Sequence, residues 1–582
     1  MIHTVRVKYF KIFKDETFDI SGTVVLAGPN NSGKSTVLQA IAVWNLARQK
    51  WMATRIPESG ARPKKIIAKK RAGVPILRKE FTAIPLREMN LLWTNRFTSF
   101  LKHETEGLYK PGKPRHVEIE LIGSDLQGEW KLAFEFTYGG TELVYVKPSA
   151  YALDDPVVFD KVRDVRIVHV PPFSGIGAEE MILTPPAQDY IIGQNKPGDV
   201  LRNQLVEVYE KDHNKWNILC EDMEEIFGVE LQPPKHESLP FIVCEYRDRS
   251  GVGRNLVRLD ISSAGSGFLQ VLMLFGFLYA RPASVLLLDE PDAHLHVILQ
   301  KQIFEKLKKI SVSEQCQLLI ATHSEVLVDG TAPEWILSFF KKPHRLISET
   351  DRDRVREALK RLTNMDILSA EISKGILYVE GETDLNLLRE WAIVLNHKTK
   401  HLFSEGLFWY TMNGRNPQEA KNHFFALREV KPDIKAVILL DGDNRKYYDH
   451  DVGADDMTVL RWKRYEAENY LLHTDVLARF VKGASPDLFT TAAAGKGMTY
   501  LRNELPPAVL KNPLVEHPFI NSEPASKTLL PGFFEAAGIP LPKKEYYQIA
   551  SQMLPEEIPE EVREKLDAIY KQLGNPENLA EE

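Results

Sequence analysis

Two short stretches of this 582-residue chain carry side chains suited to phosphate and metal chemistry. The first, GPNNSGKS at 28–35, has the spacing of a loop whose backbone N–H groups surround phosphate oxygens. The second, AVILLDGDNR at 436–445, leads an apolar strand into two aspartates, and carboxylate oxygens are ligands for hard divalent cations. The sequence therefore predicts a nucleotide site and a separate metal site.

The phosphate loop is placed between an apolar strand and a helix predicted to begin at Lys34, which is the context that this motif requires. Lys34 would meet the β- and γ-phosphate charge, and the Ser35 hydroxyl would bind Mg²⁺. The residues predicted to contact ATP in this loop are Asn30, Asn31, Ser32, Gly33, Lys34, Ser35 and Thr36.

A second acidic segment, SVLLLDEPDAHLH at 284–296, supplies the expected partner of the loop. Its apolar strand leads into Asp289 and Glu290. Asp289 would hold Mg²⁺ through water, and Glu290 is placed to polarise the attacking water. His294 and His296 follow closely and have the residue type of metal ligands.

The metal site is predicted from two strands. In ILYVEGETDLNLL a buried strand ends at Glu380 and a helix opens near Asp384, whereas Asp441 and Asp443 follow the strand AVILL. Aspartates at i and i+2 point the same way, and sites form at the carboxyl ends of parallel strands. Because gathered carboxylates repel one another, a divalent cation is the natural solution. The alternative is a metal-free α/β domain with acidic loops.

The length, composition and net charge of the chain limit the classes of protein to which it can belong. The length suggests two to four domains, and 43% apolar with 26% charged residues is typical of a folded protein. A net charge of −6 argues against a body that coats nucleic acid non-specifically. Cys220, Cys244 and Cys316 are far apart, so neither a disulfide framework nor a structural zinc site is indicated.

The N-terminal stretch MIHTVRVKYFKIF alternates like a strand and lacks the apolar core of a signal peptide. No apolar run of about 18 residues is present, so we expect no membrane span and a cytoplasmic location. The predicted fold class is α/β. The expected domains are an ATPase domain at 1–345 with a helical insertion at about 197–230, a linker at 346–372, a second α/β core at 373–475 and a helical part at 476–582.

The phosphate loop, SSAGSG at 262–267, LLLDEPDAHLH and LLIATHS together resemble ABC-type ATPases of the recombination and repair branch, relatives of SMC and RecF. The resemblance implies two heads that sandwich two ATP molecules. Ser263 and Gly265 would then act on the ATP of the partner head, and His323 would contact the γ-phosphate beside the catalytic Glu290. It also places His294 and His296 at the contact between heads. The Ser-Ala-Gly-Ser sequence departs from the usual Ser-Gly-Gly-Gln, and no sustained heptads predict a coiled-coil arm.

A glutamate after one strand and Asp-x-Asp after the next resemble the Toprim fold of topoisomerases, primases and certain nucleases. The segment RWKRYEAENYLL resembles a further Toprim nuclease motif and adds Glu468 to the ligand set. The resemblance also implies a late lysine near the scissile phosphate, for which Lys543 or Lys544 is the candidate, with Lys527 behind them. A topoisomerase would need a DNA-gate domain and a primase a zinc module, and neither is recognisable.

An ABC-type ATPase head followed by a Toprim domain with a helical extension resembles the OLD (overcoming lysogenisation defect) nucleases and the nuclease subunits of Gabija, PARIS and retron anti-phage systems. The resemblance implies an ATP-binding DNA endonuclease or nickase that uses Mg²⁺ at its ATPase site and Mg²⁺ or Mn²⁺ at its Toprim site. It implies a homo-dimer or higher oligomer joined through the heads, and it leaves room for a second defence-system protein.

DNA contact would need a basic surface, for which the stretch 48–72 with Trp51, FLKHE and KPGKPRH are candidates. The alternative is a solvated basic loop. Two rival functions also remain open: an ATPase sensor or scaffold that recruits a separate effector, and a repair ATPase with a degenerate C-terminal domain. Intact Glu380, Asp441 and Asp443 argue against the last.

Overall fold

The computed structural model of the chain describes residues 1–55, 73–100, 113–125, 128–154, 157–237, 240–248, 258–340, 342–404, 407–443, 453–483 and 487–574. The chain divides into two compact units, Met1–Lys360 and Arg361–Glu582. The division falls at the end of the helix Glu349–Arg361, within the stretch expected to link two domains. Among the described residues, no helix combines the length and apolar character that crossing a bilayer requires.

Strands of the first unit form three sheets. Their bounds are β1 Ile2–Phe10, β2 Phe13–Asp19, β3 Val24–Ala27, β4 Val74–Leu77, β5 Val117–Asp125, β6 Gly128–Gly140, β7 Leu143–Pro148, β8 Ile167–Val170, β9 Val229–Leu231, β10 Glu245–Asp248, β11 Arg258–Asp260, β12 Val285–Asp289, β13 Gln317–Thr322, β14 Ile336–Ser338 and β15 His344–Arg345.

Helices cover these sheets. Their bounds are α1 Lys34–Arg55, α2 Ala150–Asp154, α3 Val157–Lys161, α4 Pro185–Gly193, α5 Leu201–Lys211, α6 His213–Phe227, α7 Ser266–Ala280, α8 Val297–Ser313, α9 Glu325–Asp329 and α10 Glu349–Arg361.

The central sheet of the first unit has the order β15-β14-β3-β13-β12-β8 and is parallel except for β15. Its strands β3, β12 and β13 are buried along their whole length, as parallel strands covered on both faces must be. Along β12, Val285 and Leu287 pack in one hydrophobic cluster with α1, while Leu286 and Leu288 pack in another with α7. The carboxyl ends of β3, β12 and β13 therefore meet at one side of the sheet.

An antiparallel sheet of order β2-β1-β5-β6-β7-β4 packs on the other side of α1. Its strands β5 to β7 follow one another along the chain and pair as an antiparallel meander. Trp44 of α1 is fully buried between the sheets and donates its indole N–H to Leu132 O at 2.9 Å. The helical insertion predicted at about 197–230 forms two helices, because Asp212 caps α6 by accepting from Asn214 N and Lys215 N at 3.0 and 3.1 Å.

The second unit contains a parallel sheet of order β17-β16-β18-β19. The strands are β16 Gly375–Val379, β17 Phe408–Thr411, β18 Lys435–Leu440 and β19 Met457–Arg461. The helices are α11 Asn364–Ile372, α12 Glu382–Val394, α13 Thr399–Ser404, α14 Pro417–Val430, α15 Thr474–Lys482, α16 Leu488–Glu504, α17 Pro507–Lys511, α18 Pro518–Ser522, α19 Leu530–Ala537, α20 Tyr547–Ala550 and α21 Glu560–Leu573.

The two faces of this sheet are covered differently. Leu377 and Val437 point into a cluster that includes the C-terminal helices, whereas Ile376 and Ile438 point into a smaller cluster beneath α14. After β18 the chain turns at Gly442, where an added Cβ would lie 2.0 Å from the carbonyl oxygen of Arg464. Only glycine permits this approach of two backbone segments.

A buried polar network joins two loops of the first unit. The Glu180 carboxylate accepts hydrogen bonds from the backbone N–H groups of Arg202 and Asn203 at 2.9 and 2.7 Å. The Arg202 guanidinium donates to Gly177 O and to Asp260 Oδ1, both at 2.9 Å. Asp260 in turn accepts from Ser262 N at 2.8 Å. The segment after β8 is thereby tied to the SSAGSG turn.

Glu180 should make the stability of the first unit depend on pH. Burial raises its pKa to about 7, although hydrogen bonds from Asn203 oppose the shift. A raised pKa means that the protonated form is favoured on folding, so this stabilisation is complete below the unfolded-state pKa and is lost as pH rises through about 7. We expect Glu180→Gln to gain up to about 3 kcal/mol relative to wild type between pH 4.5 and 8.

Calorimetric unfolding across that pH range measures the difference, with Glu179→Gln at the exposed neighbouring position as the matched control. Parallel pH profiles for wild type and Glu180→Gln would show that folding does not raise the pKa of Glu180.

Candidate nucleotide site and candidate metal centre

The phosphate loop follows β3, and α1 begins at Lys34. Gly33 has φ +104°, and an added Cβ would lie 2.6 Å from the ring of Phe13, so the loop requires glycine on two grounds. The Ser32 hydroxyl is buried without a hydrogen-bond partner among the described residues. A buried polar atom of this kind fits a loop that binds phosphate oxygens.

Lys34 and Ser35 stand at the start of α1. The Lys34 amine donates to the loop carbonyls of Gly28 and Pro29 at 2.8 and 2.7 Å, and burial lowers its pKa to about 8. The Ser35 hydroxyl donates to Asp289 Oδ1 at 2.7 Å, and burial raises the pKa of Asp289 to about 6. This pairing of hydroxyl and carboxylate is what Mg²⁺ needs in a phosphate-loop ATPase, so the residues fit the ion.

Glu290 follows Asp289 and faces His323. The two side chains lie 3.6 Å apart between Glu290 Oε1 and His323 Nδ1. The attraction between the two side chains lowers the pKa of Glu290 and raises that of His323. The backbone of Glu290 has φ 50°, an unusual conformation for a residue with a side chain, and its carbonyl accepts from Gln270 Nε2 at 3.3 Å. Strain of this kind is held by the surrounding contacts and is common at active sites.

Most of the other residues predicted for this site are exposed at the surface. Ser263 and Gly265 are exposed, and Ser263 Oγ donates to Asp260 O at 2.7 Å. Asn30 and Asn31 are exposed, and Thr36 is half-buried. His294 and His296 are also exposed, and they belong to no cluster of three or more potential metal ligands among the described residues.

Sequence reasoning missed Lys11 and Gln270. Lys11 lies in the turn between β1 and β2, donates to Gln39 Oε1 at 2.6 Å, and acts electrostatically on Asp289. Nothing in its local sequence connects it to a strand end almost three hundred residues away. Gln270 lies in α7, directly after the SSAGSG turn, which is the one signal that could have identified it.

The expectation that Trp51 contributes to a DNA surface is wrong. Trp51 is 1% exposed, and Arg48 is 5% exposed with its guanidinium donating to Val165 O at 2.7 Å. Both lie on α1, which is enclosed between two sheets, so they stabilise the core. Lys50 pairs with Glu80 at 3.3 Å. The remaining basic residues at 56–72 and 101–112 lie outside the described residues.

The candidate metal centre lies at the carboxyl ends of β16 and β18. One carboxylate oxygen from each of Glu380, Asp441 and Asp443 lies within 4.8 Å of the others. The backbone N–H of Asp441 donates to Glu380 Oε1 at 3.0 Å, which fixes the two strands' acidic residues against each other. Three oxygens at this spacing fit the coordination of a divalent cation.

Asp384 and Glu468 add further negative charge near this trio of carboxylates. Both are buried; Asp384 lies in the first turn of α12 and Glu468 in a 3₁₀ turn, Ala467–Leu471. Burial, then repulsion from Glu468, raises the pKa of Asp384 to about 7. Burial, then Asp384 and Glu380, raises the pKa of Asp441 well above its usual range. Of the five predicted carboxylates, Glu380, Asp441 and Asp443 are therefore brought together, and Asp384 and Glu468 interact electrostatically with members of this trio.

Of the three candidate lysines, only Lys543 reaches the carboxylates within the described part of the chain. Its amine lies 2.8 Å from Glu468 Oε1 and 3.9 Å from Glu466, which sequence reasoning missed. Burial opposes its charge, but Glu468 and Glu466 raise the pKa of Lys543. Lys544 and Lys527 are exposed.

Sequence reasoning also missed Arg415, whose guanidinium contacts Glu380, Asp441 and Asp443. Arg415 lies in the turn after β17, which is next to β16 in the sheet. The available signal was the segment MNGRNP after an aromatic strand, since turns after parallel strands line the same side of the sheet.

Comparisons with known proteins concern the first unit. Residues 4–48 match a family model described as "AAA domain", and residues 252–329 match one described as "AAA domain, putative AbiEii toxin, Type IV TA system". These segments contain the phosphate loop, Asp289 and Glu290. No curated protein matches the sequence.

Among solved structures, the chain is similar to an SMC head domain from Thermotoga maritima, with 16% identity and a TM-score of 0.30 over 58% of this chain and 94% of that one. It is similar to an SMC head bound to the C-terminal winged-helix domain of ScpA, with 15% identity and a TM-score of 0.33 over 58% and 94%. An SMC head with an extended coiled coil from Pyrococcus furiosus has 14% identity and a TM-score of 0.32 over 58% and 92%.

Likeness at these TM-scores is too weak to identify a fold or a function. The two family matches, in contrast, cover the phosphate loop and the acidic pair Asp289 and Glu290. The chain therefore contains an ATPase domain of the AAA type, and the prediction of an ATP-binding ATPase is confirmed at that level.

Proposed function

We propose that this chain is an ATP-hydrolysing DNA endonuclease or nickase that depends on Mg²⁺ or Mn²⁺ and serves in defence against phage. The observation that carries the nuclease is the convergence of Glu380, Asp441 and Asp443 within 4.8 Å at the carboxyl ends of two parallel strands. Gathered carboxylates repel one another, and a bound divalent cation would offset that repulsion.

At the ATPase site, different residues of the chain would bind phosphate, hold Mg²⁺ and activate water. Lys34 binds the β- and γ-phosphates, while Ser35 and Asp289 are the pair that would hold Mg²⁺. Glu290 would orient the attacking water and accept its proton, while His323, which lies beside the Glu290 carboxylate, would contact the γ-phosphate. Charge developing on the phosphoryl group is met by Lys34.

Two copies would pair through their ATPase units. Ser263 and Gly265 are exposed at the N-terminus of α7, a helix of fifteen residues whose interior is buried. A helix start of this kind presents backbone N–H groups to an anion. The proposal is that these residues cap the γ-phosphate held by the partner, so that hydrolysis requires a dimer or a larger assembly.

At the second site, Glu380, Asp384, Asp441, Asp443 and Glu468 are the residues that would hold the metal. A divalent cation supplies there the charge that activates water and stabilises the leaving oxygen. Lys543, held by Glu468, is placed to neutralise a phosphate oxygen at the same carboxylates. DNA as the substrate and phage defence as the role rest on the resemblance to OLD-type nucleases. The description of one matched family model as a toxin of a toxin–antitoxin system accords with such a role.

Glu290→Gln should separate ATP binding from hydrolysis. The amide cannot accept the proton of water, so we expect kcat for ATP to fall by about 10²–10⁴ while the Kd for ATP stays within about threefold. Phosphate release and equilibrium binding of a fluorescent ATP analogue measure the two quantities. Glu305→Gln, at an exposed position of α8, is the control, and a variant at Glu290 that hydrolyses ATP at the wild-type rate would remove Glu290 from the mechanism.

Asp441→Ala should abolish nuclease activity. We expect wild type to nick or linearise supercoiled plasmid with Mg²⁺ or Mn²⁺, and the variant to be at least about 10²-fold slower because the metal loses a ligand. Gel analysis of plasmid forms, with and without ATP, provides the measurement. Asp433→Ala, at an exposed position just before β18, is the matched control. Equal cutting by Asp441→Ala would place the nuclease elsewhere.

The second candidate function is an ATPase sensor or scaffold that recruits a separate effector. The observation in its favour is Arg415, which already neutralises Glu380, Asp441 and Asp443 without a metal. Active ATP hydrolysis together with no plasmid cleavage under any metal condition would favour this function.

A further inference from the structure

The guanidinium of Arg415 lies among the three carboxylates of the candidate metal centre. Its Nη1 donates to Asp443 Oδ2 at 3.1 Å, and its Nη2 donates to Asp441 Oδ2 at 3.1 Å and to Asp443 Oδ1 at 2.5 Å. Its Nε donates to Glu380 Oε2. One side chain therefore contacts every member of the trio that fits a divalent cation.

These contacts and metal coordination draw on carboxylate oxygens of the same three residues. A carboxylate oxygen ligates Mg²⁺ or Ca²⁺ at about 2.0–2.6 Å, and a guanidinium in the space between three carboxylates stands where the ion would stand. Charge-assisted hydrogen bonds of this kind are among the stronger ones in proteins. A cation that coordinates all three carboxylates would therefore compete with Arg415 for their oxygens.

The Arg415 side chain is also able to move away from the three carboxylates. Its side chain is 43% exposed, whereas those of Glu380, Asp441 and Asp443 are 3%, 10% and 17% exposed. The residue lies in a turn, Asn413–Arg415, outside the strands, so its side chain can turn toward solvent without disturbing the sheet. The acidic residues, in contrast, are fixed by β16 and by the Gly442 turn.

We propose that Arg415 is a displaceable internal counter-ion that competes with divalent metal for Glu380, Asp441 and Asp443, and so sets the metal affinity of the site. Because it concerns the occupancy of the same centre, the inference rests on the proposed metal-dependent function. Arg415 keeps the carboxylates neutralised at low metal concentration and restrains the centre until metal is abundant.

Isothermal titration of Mn²⁺ into the full chain at pH 8, without nucleotide, tests this. Arg415→Gln keeps polarity but removes the charge, and it should bind Mn²⁺ at the carboxylates about tenfold or more tightly than wild type, the effect of losing one charge-assisted contact. Asp441→Ala defines binding elsewhere on the chain. Arg428→Gln, which removes one arginine from α14 of the same unit, should bind Mn²⁺ as wild type does.

The outcomes separate the two claims. Binding that is absent in wild type and present in Arg415→Gln would also support the inference. Equal affinity of wild type and Arg415→Gln, with loss in Asp441→Ala, would overturn the competition and leave the metal centre standing. Weaker binding in Arg415→Gln would overturn it too, since Arg415 would then be supporting the site. Absence of binding in all variants would overturn both.

Arg415→Lys guards against a variant that fails to fold. Lysine retains the charge but lacks the fork that reaches three carboxylates, so its Mn²⁺ affinity should fall between those of wild type and Arg415→Gln. Thermal unfolding in EDTA shows whether each variant is folded before titration.

Discussion

Negative charge concentrated at the carboxyl ends of parallel strands is the constraint on which both candidate sites depend. In the first unit Asp289 and Glu290 end β12 within reach of the charges of Lys34 and Lys11. In the second, Glu380, Asp441 and Asp443 are met by Arg415, and Glu468 by Lys543. Buried carboxylates without such partners would cost several kcal/mol each. Because of the same cost, a bound cation would stabilise each site by offsetting the repulsion among its carboxylates.

The sheets supply the geometry that this charge requires. Parallel pairing of β3, β13 and β12 brings Ser35 and Asp289 to 2.7 Å, and parallel pairing of β16 with β18 brings Glu380 to Asp441. Glycines then allow the close approaches: Gly33 beneath Phe13, and Gly442 against the carbonyl of Arg464. The proposed nuclease would need two rigid sites whose occupancy can change, and side chains in turns, such as Arg415, would provide the part that can move.

Sequence reasoning identified the residues that can be recognised from residue type and local spacing alone. The start of α1 at Lys34, the acidic pair after β12 and the Asp-x-Asp after β18 each lie in a strand-to-turn context that can be read locally. It could not find Arg415 or Lys11, because their roles come from pairings between distant strands. It could not choose between Lys543 and Lys544, which differ by one position in the same turn. The prediction that Trp51 belongs to a DNA surface is wrong because its basic neighbours suggest an exposed segment, whereas α1 is buried between two sheets.

Anomalous diffraction from crystals of the full chain grown with Mn²⁺ tests the central claim most directly, because it locates metal without relying on catalysis. The account predicts a peak within about 2.0–2.6 Å of oxygens of Glu380, Asp441 and Asp443, with the Arg415 guanidinium turned away from them. No peak at these carboxylates at saturating Mn²⁺, with Arg415 still bound to all three, would contradict a metal-dependent centre in the second unit.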